Sequence, residues 1–287
     1  MEQEPEANTV TLSALSGLKD MPPLIASISH ALFVLFCCQV SRRLANTFIG
    51  DRLIRAAVEE FICTVQLCVT NFELGVVTEV YGFSGYAVGL FVTSISYCLT
   101  FENGTADPSE CLWNLCKRQI SPTEFLLRSV FSVAGAAISY RAAKVFWSLD
   151  LVPEHGMAWE GAQLCTASLQ VSLMLGLLFE AGETFVNRLI QNTEGYNMLT
   201  GGLTDVAITF FGLFVTGGYF NPSLSLAMEL GCSGLAYQDF FIIYFGGPFL
   251  ATLIAVQVAP YLLPLIQPIS DAAEEQVAQS ENKIHSD

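Results

Sequence analysis

Two short stretches, Ala106-Asp107-Pro108-Ser109 and Phe220-Asn221-Pro222-Ser223, lie 114 positions apart (Asp107 to Asn221) and decide the fold of this chain. In each, an Asp or Asn precedes a proline, the order of an N-cap followed by Pro at the first helical position. Each also follows a hydrophobic segment. A helix that starts inside a bilayer must line a cavity, because its first N–H groups find no partner in lipid. The pair therefore predicts two re-entrant half-helices, residues 107–117 and 221–230, around one water-filled passage.

Composition agrees. Of 287 residues 52% are hydrophobic and only 14% charged, with a mean hydropathy of +0.50, so the chain reads as a polytopic, all-α membrane protein. Its net charge of -15 is partly a matter of tails: residues 1–23 and 267–287 carry nine carboxylates against Lys19 and Lys283, a net of -7. Both tails are poor in apolar residues and expected to be disordered. With 12 Lys plus Arg the chain offers no basic stripe, which excludes nucleic-acid partners.

Working outward, apolar segments fall at 24–40, 56–72, 83–101, 125–147, 161–181, 200–217 and 239–266, each of about spanning length. The first lacks a basic flank and a small-residue cleavage site, and reads as a retained additional N-terminal membrane helix rather than a signal peptide. The remainder divides into a first repeat, 56–147, and a second, 161–266, each of three spans plus one half-helix. An odd number of spans per unit makes the repeats inverted. Arg42, Arg43, Arg52 and Arg55, then Lys117 and Arg118, then Arg188 mark three connections as cytosolic. The stretches 73–82 and 148–160 carry acids without Lys or Arg and read as loops on the opposite side. The sequon Asn103-Gly104-Thr105 then faces the cytosol and is expected to stay unmodified. Either seven spans or six plus a segment packed alongside satisfies the pattern.

The residues resemble the aquaporins, or major intrinsic proteins, and within them the divergent superaquaporins. Val58-Glu59-Glu60-Phe61-Ile62 is similar to the opening of that family's first helix, Gly217-Gly218-Tyr219-Phe220-Asn221-Pro222 to the approach to its second signature, and Phe241-Ile242-Ile243-Tyr244-Phe245-Gly246-Gly247-Pro248 to its last helix. Cys232, nine positions after Ser223, matches the superaquaporin spacing. The resemblance covers about residues 35–265. It implies an inverted repeat of six transmembrane helices plus two half-helices that meet at the midplane, and a passive pore for water and small neutral solutes such as glycerol or hydrogen peroxide. It further implies four pores per homotetramer, no cofactor, and a multi-pass location in the endoplasmic reticulum or another internal membrane rather than the plasma membrane.

Carried over residue by residue, the resemblance makes Asp107, Pro108, Ser109, Asn221, Pro222 and Ser223 the half-helix signatures. Tyr86 or Ala87, Thr209, Gly218 and Leu224 become the selectivity filter, and Glu60 and Gln170 the groups supporting the two loops. Three departures stand out. Asp107 replaces an amide, and a carboxylate caps the helix but offers water no donor when ionised; desolvation and the N-terminal amides pull its protonation in opposite directions. Leu224 stands where the family holds an arginine, which predicts a wider, more apolar filter. Gln170 replaces an acid, keeping an acceptor without a charge.

The competing reading is a non-conducting scaffold on an aquaporin frame, motivated by those three departures. A secondary transporter would need charged ligands near the midplane beyond Asp107. Enzymatic activity is not expected, since no nucleophile, base and orienting partner gather. His30, His155 and His285 are scattered, the nine cysteines show no metal spacing and read as reduced packing residues, and no metal site is expected. Arg128 is expected to snorkel to the cytosolic face, with Arg141 and Lys144 reaching the opposite interface.

Overall fold

The computed structural model describes residues 21–161 and 165–266; the acidic tails, apart from residues 21–23, lie outside the described residues. It is helical throughout, with one isolated parallel bridge, Thr166 to Ser233, as the extended pairing among the described residues.

Helix α1 (Pro23–Phe48) starts on a proline and buries an i, i+4 stripe of Ala26, His30, Val34, Cys38 and Arg42 against α2, while Leu32, Phe36, Leu44 and Phe48 face outward. Helix α2 (Arg52–Thr100) is capped by Asp51, whose side chain accepts from the Ile54 N–H at 2.9 Å. Its 49 residues would extend to about 74 Å, more than twice a hydrocarbon core. It does not run straight: Gly82 has φ 64° and ψ -167°, a conformation that glycine alone adopts without strain, and the helix breaks there into two spans. Then follow the half-helix α3 (Pro108–Cys116), α4 (Pro122–Trp147), the short α5 (Pro153–Gly161), α6 (Leu173–Gln191), α7 (Met198–Gly212), the half-helix α8 (Pro222–Glu229) and α9 (Tyr237–Phe241). A π-helical turn (Ile242–Gly246) joins α9 to α10 (Gly247–Ile266).

Three of these stretches, α1, α2 and Tyr237–Leu265, are both long and apolar enough to cross a bilayer on composition alone. Helices α4 and α6 are interrupted by charges, and five of these turn inward: Glu124, Arg128, Glu180, Glu183 and Arg188 are buried, whereas Arg141 is exposed. The first-repeat spans cross closely. A Cβ at Gly135 would lie 2.8 Å from the Phe61 carbonyl, so α4 approaches the first half of α2 at backbone distance.

Four expectations need correction. The fifth apolar segment, 161–181, is not one helix: α6 begins at Leu173 and runs on to Gln191, because residues 165–170 pair as an extended strap with Val215 and Ser233. The stretch 73–82 is no loop either. The helix continues to the break at Gly82, and Glu73 is buried, accepting from Ser27 Oγ (2.6 Å) and Trp147 Nε1 (2.9 Å) and bonded to His155 Nε2 at 3.1 Å. Arg42 does not mark an aqueous connection; it is 1% exposed and donates to Gln66 Oε1 at 2.8 Å. The cysteines are not all reduced: Cys165 and Cys232 form a disulfide.

Candidate functional site: a pore between two half-helices

The loop that leads into α3 hangs from two adjacent carboxylates of α2. Glu59 accepts from the Asn103 N–H (2.8 Å), and Glu60 accepts from the N–H and hydroxyl of Thr105, at 3.1 and 2.7 Å to Oε1. Glu60 is fully buried and is neutralised by Arg128, whose Nε and Nη2 donate to its Oε2 at 2.9 and 2.6 Å. Arg128 therefore does not snorkel; its chain turns inward because Glu60 and the Asn103 carbonyl give its donors better partners than an interface would.

The second loop hangs the same way from Glu180 of α6. Its Oε1 accepts from Thr216 Oγ1 (2.7 Å) and the Tyr219 N–H (3.3 Å), and its Oε2 from the Phe220 N–H (2.8 Å). The counterpart of Glu60 in the second repeat is therefore Glu180, and the assignment to Gln170 fails. Gln170 lies on the strap with an exposed side chain, and its N–H donates to the Val215 carbonyl. The late start of α6 moved the inward-facing position ten residues on. Both loops end alike: Ala106 (φ 55°) and Phe220 (φ 37°) sit in the left-handed region immediately before Asp107 and Asn221, a strained conformation for side-chain-bearing residues that both carboxylate anchors hold in place.

Asp107 caps α3 by accepting from the Ser109 N–H at 2.8 Å, and Asn221 caps α8 by accepting from the N–H groups of Ser223 (2.9 Å) and Leu224 (3.2 Å). The two caps meet, since Asn221 Nδ2 donates to the Ala106 carbonyl at 3.0 Å. Pro108, Ser109, Pro222 and Ser223 are buried behind them; Ser223 Oγ is bonded to Ser132 of α4 at 2.7 Å, which fastens the second half-helix to the bundle.

In front of the caps runs a cavity of about 380 Å³, lined by both Asp107 and Asn221. Of the residues expected at the filter, Tyr86, Thr209, Gly218 and Leu224 line it, and Ala87 is not among its lining residues. Gly218 is required here twice over. It has φ 64°, and a Cβ on it would lie 2.5 Å from the Thr209 carbonyl.

Several groups at the cavity were not read from sequence as pore residues. Arg188, buried near the end of α6, donates to Asp107 Oδ2, to Ser109 Oγ (2.9 Å), to Glu110 Oε2 (3.3 Å) and to Gln191 Oε1 (2.9 Å). It is no cytosolic connection marker but part of the pore wall, together with Glu110 and Asp205. The signal was present: a carboxylate in a membrane pore needs a cation, and Arg188 is the basic residue of α6. Cys165, in turn, ties the strap to the end of α8. There Glu229 accepts from the Ser168 N–H (3.0 Å) and the Tyr219 hydroxyl (2.8 Å).

No family model matches the chain. It is similar to "Aquaporin-11" of Milnesium tardigradum, with 53% identity over 93% of this chain and 97% of that protein, and to "Aquaporin-11" of Homo sapiens, with 26% identity over 88% and 96%. Among solved structures it is similar to the aquaglyceroporin from Plasmodium falciparum, with a TM-score of 0.53, 15% identity, and 75% of this chain and 98% of that one covered, a likeness of fold.

Proposed function

The chain belongs to the aquaporins, in their superaquaporin subgroup, and from that premise we propose that this membrane channel conducts water together with small neutral solutes of the size of glycerol or hydrogen peroxide. The observation that carries the reading is the meeting of two capped half-helix N-termini, at Asp107 and Asn221, on one cavity. Converging N-termini concentrate positive potential where the solute passes. Asn221 has a second Nδ2 hydrogen beyond the one given to Ala106, a fixed donor that orients water. Past the caps, Leu224 lines the cavity together with Tyr86, Thr209 and Gly218, four residues without a guanidinium among them, which supports passage of neutral solutes larger than water.

A homotetramer with four separate pores, and residence in the endoplasmic reticulum or another internal membrane, complete the proposal. The Cys165–Cys232 disulfide supports a lumenal or exterior position for the second loop, because disulfides persist on the oxidising side of a membrane. In sealed, correctly oriented vesicles a membrane-impermeant maleimide is expected to leave these two thiols unlabelled until an impermeant reductant is added on the second-loop side. Labelling after reductant is added only on the opposite side would reverse the orientation.

The test of conduction is osmotic shrinkage of proteoliposomes followed by stopped-flow light scattering, with wild type, Asp107→Asn and empty vesicles at matched protein density. Wild type is expected to shrink faster than empty vesicles, and Asp107→Asn to change that rate, since the carboxylate lines the path. A non-conducting scaffold is favoured by one feature, the Arg188 side chain lying against Asp107 in the passage. Flat water, glycerol and peroxide uptake in both proteins would establish that reading instead.

A further inference from the structure

Asp107 and Glu110 of the α3 end and Asp205 of α7 present carboxyl groups to the cavity, which Leu213, Leu224 and Tyr86 also line. Among the described residues that line the cavity, Arg188 alone is positively charged. Its side chain is 2% exposed, against 8% for Asp107 and 33% for Glu110, and its Nε is buried without a partner. Four of its contacts fix the guanidinium in place, so it is held against the cap of α3 rather than swinging in solvent.

Two half-helix N-termini contribute roughly half a positive charge each, and one ionised Asp107 cancels about both. At the junction itself that cancelled barrier would leave no positive potential to turn cations back. Arg188 returns one full positive charge at contact distance from Asp107.

We propose that Arg188 is the charge-selectivity residue of this pore: by pairing with Asp107 it restores the positive barrier of the half-helix junction, and it supplies from α6 the fixed cation that the constriction lacks at Leu224. The proposal rests on the channel reading above. It implies that selectivity against ions sits on the side of α3, that it belongs to the pair, and that the sign of any leak follows whichever partner is left uncompensated.

The experiment is conductance of the full-length protein in planar bilayers under an asymmetric potassium nitrate gradient, with osmotic water flux measured on the same preparations. Wild type is expected to carry water and no ionic current above bare lipid. Arg188→Gln is expected to raise ionic conductance at least about tenfold, with a reversal potential of cation-selective sign. Asp107→Asn, which leaves the guanidinium Glu110 at 3.3 Å as its carboxylate partner in place of two, is expected to pass nitrate and reverse with the opposite sign. The double variant Asp107→Asn/Arg188→Gln is expected to be ion-tight again, an outcome that loss of packing alone does not produce. Water-permeable wild type with both single variants ion-silent, or leaking with the same sign, overturns the proposal and leaves the channel reading intact. If Arg188→Gln does not reconstitute, Asp107→Asn decides alone: nitrate-selective current supports the pair and silence overturns it. Wild type as water-tight as empty vesicles overturns both readings.

Discussion

Arg128→Ala is expected to cost this protein a large share of its stability. The substitution strands Glu60, a fully buried carboxylate whose Oε2 takes two guanidinium N–H bonds at 2.9 and 2.6 Å, and it removes the donor to the Asn103 carbonyl. Breaking a buried ion pair by deleting one partner costs about 3–5 kcal/mol, because the surviving charge keeps its desolvation penalty and loses its compensation. Stability of a domain is itself of order 5–15 kcal/mol, so the loss is a large share. The damage is not confined to α4: Glu60 also holds the Thr105 N–H and hydroxyl, and through them the strained Ala106 that sets the start of α3. The expected result in detergent is a strongly lowered unfolding temperature and a poor yield of monodisperse protein. Glu60→Gln/Arg128→Met is expected to regain much of the loss, since an amide keeps the acceptor for Thr105 and no charge is left alone. Arg128→Ala within about 1 kcal/mol of wild type would show that the pair is not what holds the first loop.

Gly218→Val is expected to shut the pore, with osmotic water flux falling at least about tenfold toward that of empty vesicles. The position has φ 64°, where a β-branched residue is a genuine outlier. Its Cβ would meet the Thr209 carbonyl at 2.5 Å, and that neighbour is helical backbone, which cannot rotate aside as a side chain can. The loop must therefore move, and the direction open to it is the cavity that Gly218, Thr209, Tyr86 and Leu224 line together. Leu224→Ala on the same ring removes bulk without touching backbone and is expected to raise glycerol flux, which separates narrowing of the constriction from general damage. An unchanged water rate in Gly218→Val would place the constriction elsewhere.

The positions of the half-helices were legible because their signal is local. Asn or Asp before Pro satisfies orphan N–H groups and presets φ within a few residues, so α3 starts at Pro108 and α8 at Pro222, at the positions read from sequence. That two spans follow one another over 56–101 was legible from the two apolar runs, but the connection was read as a loop over 73–82 where the helix runs on to a break at Gly82. Hydropathy located the core of α4, where the helix covers the expected 125–147.

The strap at 165–172 was not legible, because its residues are as apolar as a helix and the disulfide that commits them joins Cys165 to a partner 67 positions away. Glu180 was missed in consequence: counting from a helix that starts too early puts Gln170 at the supporting position, whereas Gln170 is exposed on the strap and Glu180 is buried in α6. Arg128, Arg188 and Arg42 were each read as cations seeking water, the usual fate of such residues at span ends. Tertiary structure gave each an interior partner instead: Glu60, Asp107 and Gln66.

The sequence by itself thus determined that this chain is a helical membrane protein with two inverted repeats, each carrying a proline-capped half-helix, because caps, prolines and apolar run lengths act over a few residues to one span. Only the tertiary structure decided how the charges inside it are paired, which acid carries the second loop, and where the cysteines close. A buried carboxylate is compensated by whichever cation the packed bundle brings within bonding distance, and that distance is a property of the assembled helices rather than of spacing along the chain.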